Sequence, residues 1–179
     1  MVPADVGGSL KGGFDFGGFM KGSLSEIKDT LKSAWTFNKG QAEVPVVDEY
    51  GILKNNDSIT GQAHHLNQNA AYRDVIPRDK GLSVRLEGNA FTQSGTSHYG
   101  AYASLENFWN QFRRGGEKYG EVPTNLEYSK ALFDSLQGAG FTRNEALDIT
   151  RQAMIQRVQY GLLGGEPVPR IPGKINQVR

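Results

Sequence analysis

The sequence of 179 residues contains no cysteine and only three histidines, at positions 64, 65 and 98. Without cysteine the chain can form no disulfide, no thiolate metal site and no cysteine nucleophile. Any bound metal must therefore be held by nitrogen and oxygen ligands. The sequence also lacks a run of about 18 apolar residues, so it predicts no membrane span.

The N-terminal residues have neither the basic region nor the apolar region of a signal peptide. If the protein leaves the cell, we therefore expect something other than a signal peptide to carry it.

A strong excess of one charge is also lacking. Residues 1–60 carry 6 basic and 8 acidic side chains, a net charge of −2, and residues 61–179 carry 14 and 11, a net charge of +3. This asymmetry is weaker than the basic stripe of a dedicated nucleic-acid reader, so it permits a polyanionic substrate without indicating one.

Glycine is abundant where the chain begins. Residues 1–22 contain seven glycines interleaved with three phenylalanines, a composition that predicts a flexible lead-in. Ser23 and Glu26 form a capping box that predicts a short amphipathic helix from about residue 24 to residue 35. We therefore divide the chain into residues 1–59, a linker or carrier-docking segment, and residues 60–179, the main domain.

The main domain is expected to be α+β and mostly helical. From Leu82 to Glu87 apolar and polar side chains alternate, which is the period of a half-buried strand. Three helical stretches follow, and the last two are expected to form a helical hairpin that ends at Gly164 and Gly165. The caps of these stretches are Thr96 with Ser97, Thr124 with Glu127, and Thr142 with Glu145. The residues expected on their buried faces are His98, Tyr102, Leu105, Trp109 and Phe112, then Tyr128, Leu132 and Leu136, and finally Leu147, Met154, Val158 and Leu162.

The adjacent histidines, His64 and His65, lie just before the alternating strand. Neighbouring side chains on an extended segment point to opposite faces, so the two imidazoles are expected to have different roles. One can bind a metal, and the other can act as a general base because its ordinary pKa is near neutrality. The alternative for each histidine is a surface or core position with no ligand, because histidine is buried to very different extents in proteins.

Five segments of the main domain carry a family resemblance. They are QAHHLNQ (62–68), GNAF (88–91), TSHYGAYASLENFW (96–109), PTNLEY (123–128) and PRIPG (169–173). Together they resemble the SHH-type toxin nucleases of the HNH/endonuclease VII superfamily, over about residues 60–177. Such domains form the variable C-terminal ends of polymorphic bacterial toxins, including those of the Rhs type.

The resemblance implies a ββα-metal (His-Me finger) core, in which two strands and a helix surround one divalent cation. Matched position by position, His64 corresponds to the metal ligand at the end of the first strand and His65 to the general base. His98 corresponds to a metal ligand on the helix. Asn89 corresponds to the asparagine that steadies the loop bearing the base.

One position departs from the family pattern, which has a second helix histidine four residues after His98. Tyr102 stands there, and a neutral phenol is a poor ligand because its ordinary pKa is about 10. Three outcomes are open: Tyr102 packs and water fills the vacant position, Asn89 or another oxygen takes it, or the domain is weakened or inactive. Coordination by oxygen and water favours Mg²⁺ or Mn²⁺ as the cofactor, with Zn²⁺ or Ni²⁺ as further candidates.

The activity that the resemblance implies is metal-dependent hydrolysis of DNA phosphodiester bonds with little sequence preference. The alternatives are an RNase of the same superfamily and a weakened or inactive binding module with a poor metal site. Arg73 and Arg85 are candidates for phosphate binding, since the guanidinium fork matches phosphate oxygens, and a solvated loop and strand face is the alternative for both.

The resemblance also implies a biological setting and a set of partners. The domain would belong to a bacterial antagonism toxin that a specialised secretion system delivers, within a parent carrier polypeptide, to the cytoplasm of a target cell. Its partners would be the nucleic acid and a cognate immunity protein, whose acidic face is expected to block the nucleic-acid groove.

Overall fold

The computed structural model describes residues 45–174. The glycine-rich lead-in and the helix predicted over residues 24–35 lie outside the described residues. Within them the chain forms a three-stranded antiparallel sheet and five α-helices, which confirms the predicted α+β class. None of the helices described between residues 45 and 174 has the length and apolar character needed to cross a membrane.

The sheet consists of β1 (Val47–Glu49), β2 (Gln62–His65) and β3 (Leu82–Leu86), in the order β1-β3-β2. The strand predicted from Leu82 to Glu87 is confirmed as β3, one residue shorter. It is the central strand, and β2 is an edge strand whose last residue, His65, pairs with Ser83. Although β1 lies upstream of the boundary placed after residue 59, it pairs with β3, so the sheet begins before that boundary.

The helices are α1 (Tyr50–Leu53), α2 (Asn69–Tyr72), α3 (Ser97–Asn110), α4 (Asn125–Gly138) and α5 (Arg143–Gln159), and a 3₁₀ helix spans Arg78–Lys80. The three predicted N-caps are confirmed. The Thr96 hydroxyl accepts from the backbone of Tyr99, and reciprocal capping boxes begin α4 and α5. Local side-chain chemistry therefore sets where these helices begin.

Helix α5 differs from the prediction in its buried face and in its end. Of the predicted stripe only Met154 is fully buried, and the helix ends at Gln159 because Gly161 turns the chain with a φ of 82°. The buried residues of α5 are Ala146, Ile149, Thr150, Ala153, Met154, Gln156 and Arg157. Apolar periodicity does not indicate Gln156 and Arg157, which are buried because they have polar partners in the interior.

Arg157 shows how the core accepts such a residue. Its side chain is 2% exposed and its guanidinium lies over the rings of Tyr72 and Tyr128, 5.7 and 5.3 Å from their centroids. It donates to Asn67 Oδ1 over 3.1 Å and to the Ser129 hydroxyl. Around this group the core joins α2, α4 and α5 to the segment that follows β2, and so fixes the strand that carries the two adjacent histidines.

Candidate functional site

His64 is buried in β2, on the side of the sheet that faces α3. Its side chain is 8% exposed, and its Nε2 atom has no hydrogen-bond partner among residues 45–174. The ring meets that of His98 edge to face, with 5.2 Å between the centroids and an angle of 87° between the planes. Burial, followed by the charges of His98 and His65, lowers the pKa of His64 to about 3. The ring is therefore neutral near pH 7.

His98 lies in the first turn of α3 and is held by the loop that follows β3. Its backbone N–H donates to the Glu87 carbonyl over 3.0 Å, and its Nδ1 lies 3.3 Å from the Gly88 carbonyl oxygen. A carbonyl oxygen only accepts, so Nδ1 carries the proton and Nε2 keeps its lone pair. Burial lowers the pKa of His98, and the bond to Gly88 opposes this effect. Such a bond to a backbone carbonyl is how proteins orient metal-binding histidines.

The two neutral rings of His64 and His98 fit part of a metal site. Imidazole nitrogens bind divalent transition metals, and the unpartnered Nε2 of His64 is a buried polar atom that such an ion would satisfy. Between residues 45 and 174, however, no group of three or more His, Cys, Asp or Glu side chains is arranged to hold a metal. These residues therefore offer two ligands and leave the other positions of a cation to water or to substrate oxygens.

Tyr102, one turn along α3 from His98, is packed against its neighbours. Its ring meets that of Phe91 edge to face at 4.8 Å between centroids. Burial, followed by the charge of Glu106 and a hydrogen bond to it, raises the pKa of Tyr102 to about 12, and the charge of Arg113 opposes this effect. The phenol is therefore neutral, which makes it a poor ligand. Of the three outcomes open for Tyr102, these contacts favour packing.

His65 faces other neighbours than His64 does. Its ring stacks on Tyr50 at 4.1 Å between centroids, with 19° between the planes. Its Nε2 lies 2.9 Å from the Arg78 carbonyl oxygen, so Nε2 carries the proton and the lone pair of the neutral ring is on Nδ1. Burial lowers the pKa of His65, and the hydrogen bond to Arg78 opposes this effect. The ring is thus oriented and neutral, as a general base must be before it reacts.

Gly81 forms the wall beside His65. A Cβ atom at position 81 would lie 2.7 Å from Cδ2 of His65, closer than side chains pack. The backbone itself is unstrained, with φ −62° and ψ 123°. Glycine is needed here because of the close approach of His65 and not because of the backbone conformation.

Asn89 lies in the turn between β3 and α3. Its Oδ1 accepts from the backbone of Phe91 over 2.8 Å and of Thr92 over 3.2 Å, and its own N–H donates to Gln93. These bonds stabilise the turn that precedes His98. None of them reaches the 3₁₀ helix that contacts His65.

The candidate phosphate-binding arginines differ in what they contact. The guanidinium of Arg85 donates to the carbonyls of Gly61, Leu53 and Asn56, and so fixes the loop before β2. This arrangement favours a structural role for Arg85. Arg73 is exposed at the C-terminal end of α2, and its side chain forms no hydrogen bond or ion pair within the described part of the chain.

The sequence patterns did not single out Tyr50, Arg78 and Gly81, the three residues that surround the His65 ring. The exposed guanidinium of Arg78 lies over the Tyr50 ring, 5.1 Å from its centroid, and donates to the Tyr50 hydroxyl over 3.1 Å. These residues come from separate segments, and only folding brings them together. No periodicity or spacing within one segment could have identified them.

No family model matches the chain, and neither does any curated protein or solved structure.

Proposed function

We propose that the protein is a metal-dependent endonuclease that hydrolyses phosphodiester bonds of DNA with little sequence preference. His65 is the general base, and His64 and His98 hold one divalent cation within a ββα-metal core. The observation that carries this proposal is the division between adjacent histidines: His64 meets His98 with a free buried nitrogen, whereas His65 is held by a backbone carbonyl. The order β2, β3, α3 and the resemblance of the histidine segments support it.

The residues supply a simple path for the proton. Nδ1 of His65 takes a proton from a water molecule, whose oxygen attacks phosphorus while the bond from phosphorus to the leaving oxygen breaks. The leaving oxygen then takes up a proton from solvent. The bond from Nε2 to the Arg78 carbonyl keeps the ring in place and favours the imidazolium that forms. The charge of the Arg78 guanidinium opposes this imidazolium, and the carboxylate of Asp79 favours it.

His64 and His98 supply two neutral imidazoles at the cation position. A divalent cation bound there would contribute Lewis-acid stabilisation of the negative charge on phosphoryl oxygens. The oxygen ligands that complete its shell favour Mg²⁺ or Mn²⁺, whereas the imidazole pair suits Zn²⁺ or Ni²⁺. All four ions therefore belong in the test.

The experiment is a cleavage assay on supercoiled plasmid DNA, with total RNA in parallel. The wild-type chain is tested with each of the four cations and with a chelator. His65→Ala is expected to lower the cleavage rate about 10²-fold to 10⁴-fold, the usual contribution of a general base. Arg114→Ala, at an exposed arginine outside the site, is the control. Cleavage that survives the chelator would contradict the metal site. Cleavage of RNA but not of DNA would show that the substrate is RNA.

The biological part of the proposal is a bacterial antagonism toxin, delivered by a secretion system as part of a carrier polypeptide and blocked by an immunity protein. Expression of the wild-type chain is expected to stop bacterial growth, and His65→Ala is expected to relieve the effect. Co-expression of a protein encoded next to the toxin should also restore growth. Growth inhibition by His65→Ala equal to that of the wild type would contradict nuclease toxicity.

A further inference from the structure

Gln156 on α5 is a polar side chain whose amide oxygen and nitrogen both have partners in the interior. It is 6% exposed. Its Oε1 accepts from the Leu82 backbone N–H over 3.0 Å and from the Asn67 side chain over 3.1 Å, and its Nε2 donates to the Lys80 carbonyl over 2.7 Å. One side chain thus holds the backbone on both sides of Gly81 and also contacts the segment that follows β2.

The backbone that Gln156 holds is the one that surrounds His65. Gly81 packs against the ring itself, and its carbonyl accepts from the backbone N–H of Tyr50 over 2.9 Å. Its N–H is shared between the carbonyl of Pro77, over 3.1 Å, and that of Arg78, over 3.3 Å, and the Arg78 oxygen also accepts from His65. Gly81, which lies between the two backbone groups that Gln156 binds, is thus one neighbour of the His65 ring and is hydrogen-bonded to the other two, Tyr50 and Arg78.

We infer that Gln156 is a positioning residue for His65, which acts through Lys80, Gly81 and Leu82 without touching the ring. This inference rests on the proposed function, because His65 is the base of the proposed reaction. Without the Gln156 amide, the Lys80 carbonyl and the Leu82 N–H lose their partner on α5, and the wall of the His65 ring is free to shift. A misplacement of about 1 Å can lower a catalytic rate about 10²-fold.

The first test compares two glutamines of the same helix. Gln156→Met removes the three hydrogen bonds at similar side-chain length, and Gln159→Met is the matched control because Gln159 is exposed at the end of α5. At a temperature where both variants are folded, Gln156→Met is expected to lower kcat about 10-fold to 100-fold with KM changed less than about 2-fold. An unchanged kcat in Gln156→Met would overturn the inference. If Gln156 had only a structural role, Gln156→Met would lower the melting temperature but would not lower kcat at a nearly unchanged KM.

The second test needs no activity. Nitrogen NMR of labelled histidine, at a fixed pH where the ring is neutral, reports whether Nε2 of His65 carries a hydrogen-bonded proton. The wild type and Gln159→Met are expected to show a single tautomer with this proton protected from exchange, and Gln156→Met is expected to show both tautomers. If the wild type proves inactive on nucleic acid while Gln156→Met still changes the tautomer, the positioning role stands and the proposed function fails. An unchanged tautomer in Gln156→Met contradicts the positioning role whatever the activity.

A third variant covers the case in which Gln156→Met does not fold. Gln156→Glu keeps an acceptor for the Leu82 N–H but loses the donor to the Lys80 carbonyl. It is expected to lower kcat and to weaken the protection of the His65 ring proton. Wild-type values for both in Gln156→Glu would contradict the inference.

Discussion

The ring of His65 is held by contacts with its neighbours, and Gly81 tests one of these contacts at the scale of a single atom. The backbone at position 81 accepts alanine, because its φ is −62°. The new methyl group would nevertheless lie 2.7 Å from Cδ2 of His65, so the ring must move. Gly81→Ala is expected to lower the cleavage rate about 10-fold or more, by misplacement of the base.

The matched control for this change is Gly165→Ala, since a Cβ atom there meets nothing within 4 Å. Cleavage kinetics and thermal unfolding of both variants provide the measurement. Equal cleavage rates for Gly81→Ala and the wild type would show that the ring is free to move without loss of function.

Tyr102 provides a second test at the scale of a residue. Tyr102→His places an imidazole one turn after His98 on α3, where side chains four apart share a face. It also removes a phenol whose pKa burial raises to about 12. We expect the variant to bind Mn²⁺ or Zn²⁺ about tenfold more tightly, within the range by which groups around a metal site change affinity.

Titration calorimetry with each cation measures this change, and Tyr99→His is the control because its side chain lies on another face of the same helix. An affinity equal to that of the wild type would show that position 102 lies outside the metal's reach. That result would favour the packing role over the vacant-ligand interpretation.

At the scale of secondary structure, the sequence predicts what local chemistry determines. The capping threonines of α3, α4 and α5 were predictable because a cap involves residues only three apart. The buried face of α5 was not, because Gln156 and Arg157 are satisfied by residues of other segments. Examples are Leu82, 74 positions from Gln156, and Asn67, 90 positions from Arg157. Periodicity of apolar residues cannot detect a polar side chain that long-range contacts bury.

The cap of α5 yields a stability prediction. The Thr142 hydroxyl and backbone N–H both bond to the Glu145 carboxylate, and these bonds hold the pKa of Glu145 below its usual value of 4.5. Thr142→Ala is expected to lower the free energy of unfolding by about 1 kcal/mol at pH 7. Because the pKa of Glu145 is lower in the folded state, its contribution is present above pH 4.5 and is lost as the pH falls through the lowered pKa.

The difference between Thr142→Ala and the wild type should therefore become smaller in acid. Denaturant unfolding at several pH values measures it, with Thr92→Ala as the control at an exposed threonine outside the helices. A difference that stays constant from neutral to strongly acidic pH would contradict the role of the Glu145 carboxylate in the cap.

At the scale of the whole molecule, the candidate site is assembled from segments that are far apart in the sequence. The three histidines could be picked out because they are few and because two of them are adjacent. The contacts that orient them could not, since the Arg78 carbonyl and the Gly88 carbonyl are backbone groups that any sequence would offer. Tyr50 was missed because β1 and α1 are too short to show a periodic signal and lie upstream of the predicted boundary.

The position of β1 and α1 leads to a prediction about where the domain starts. A fragment of residues 60–179 loses β1, the buried side chain of Leu53 and the Tyr50 ring that stacks on His65. It also loses two of the three carbonyl partners of Arg85, those of Leu53 and Asn56. The burial of one leucine contributes about 2 kcal/mol, and the lost hydrogen bonds and strand pairing add to this. We therefore expect the fragment to melt roughly 10 °C below the full chain and to cleave poorly even when folded.

The fragment of residues 45–179, which keeps both elements, is the control and is expected to melt within about 3 °C of the full chain. Thermal unfolding followed by circular dichroism, together with the plasmid assay at a temperature where both fragments are folded, distinguishes the two. If the fragment of residues 60–179 matched the longer one in melting temperature and in cleavage rate, neither β1 nor Tyr50 would belong to the functional domain.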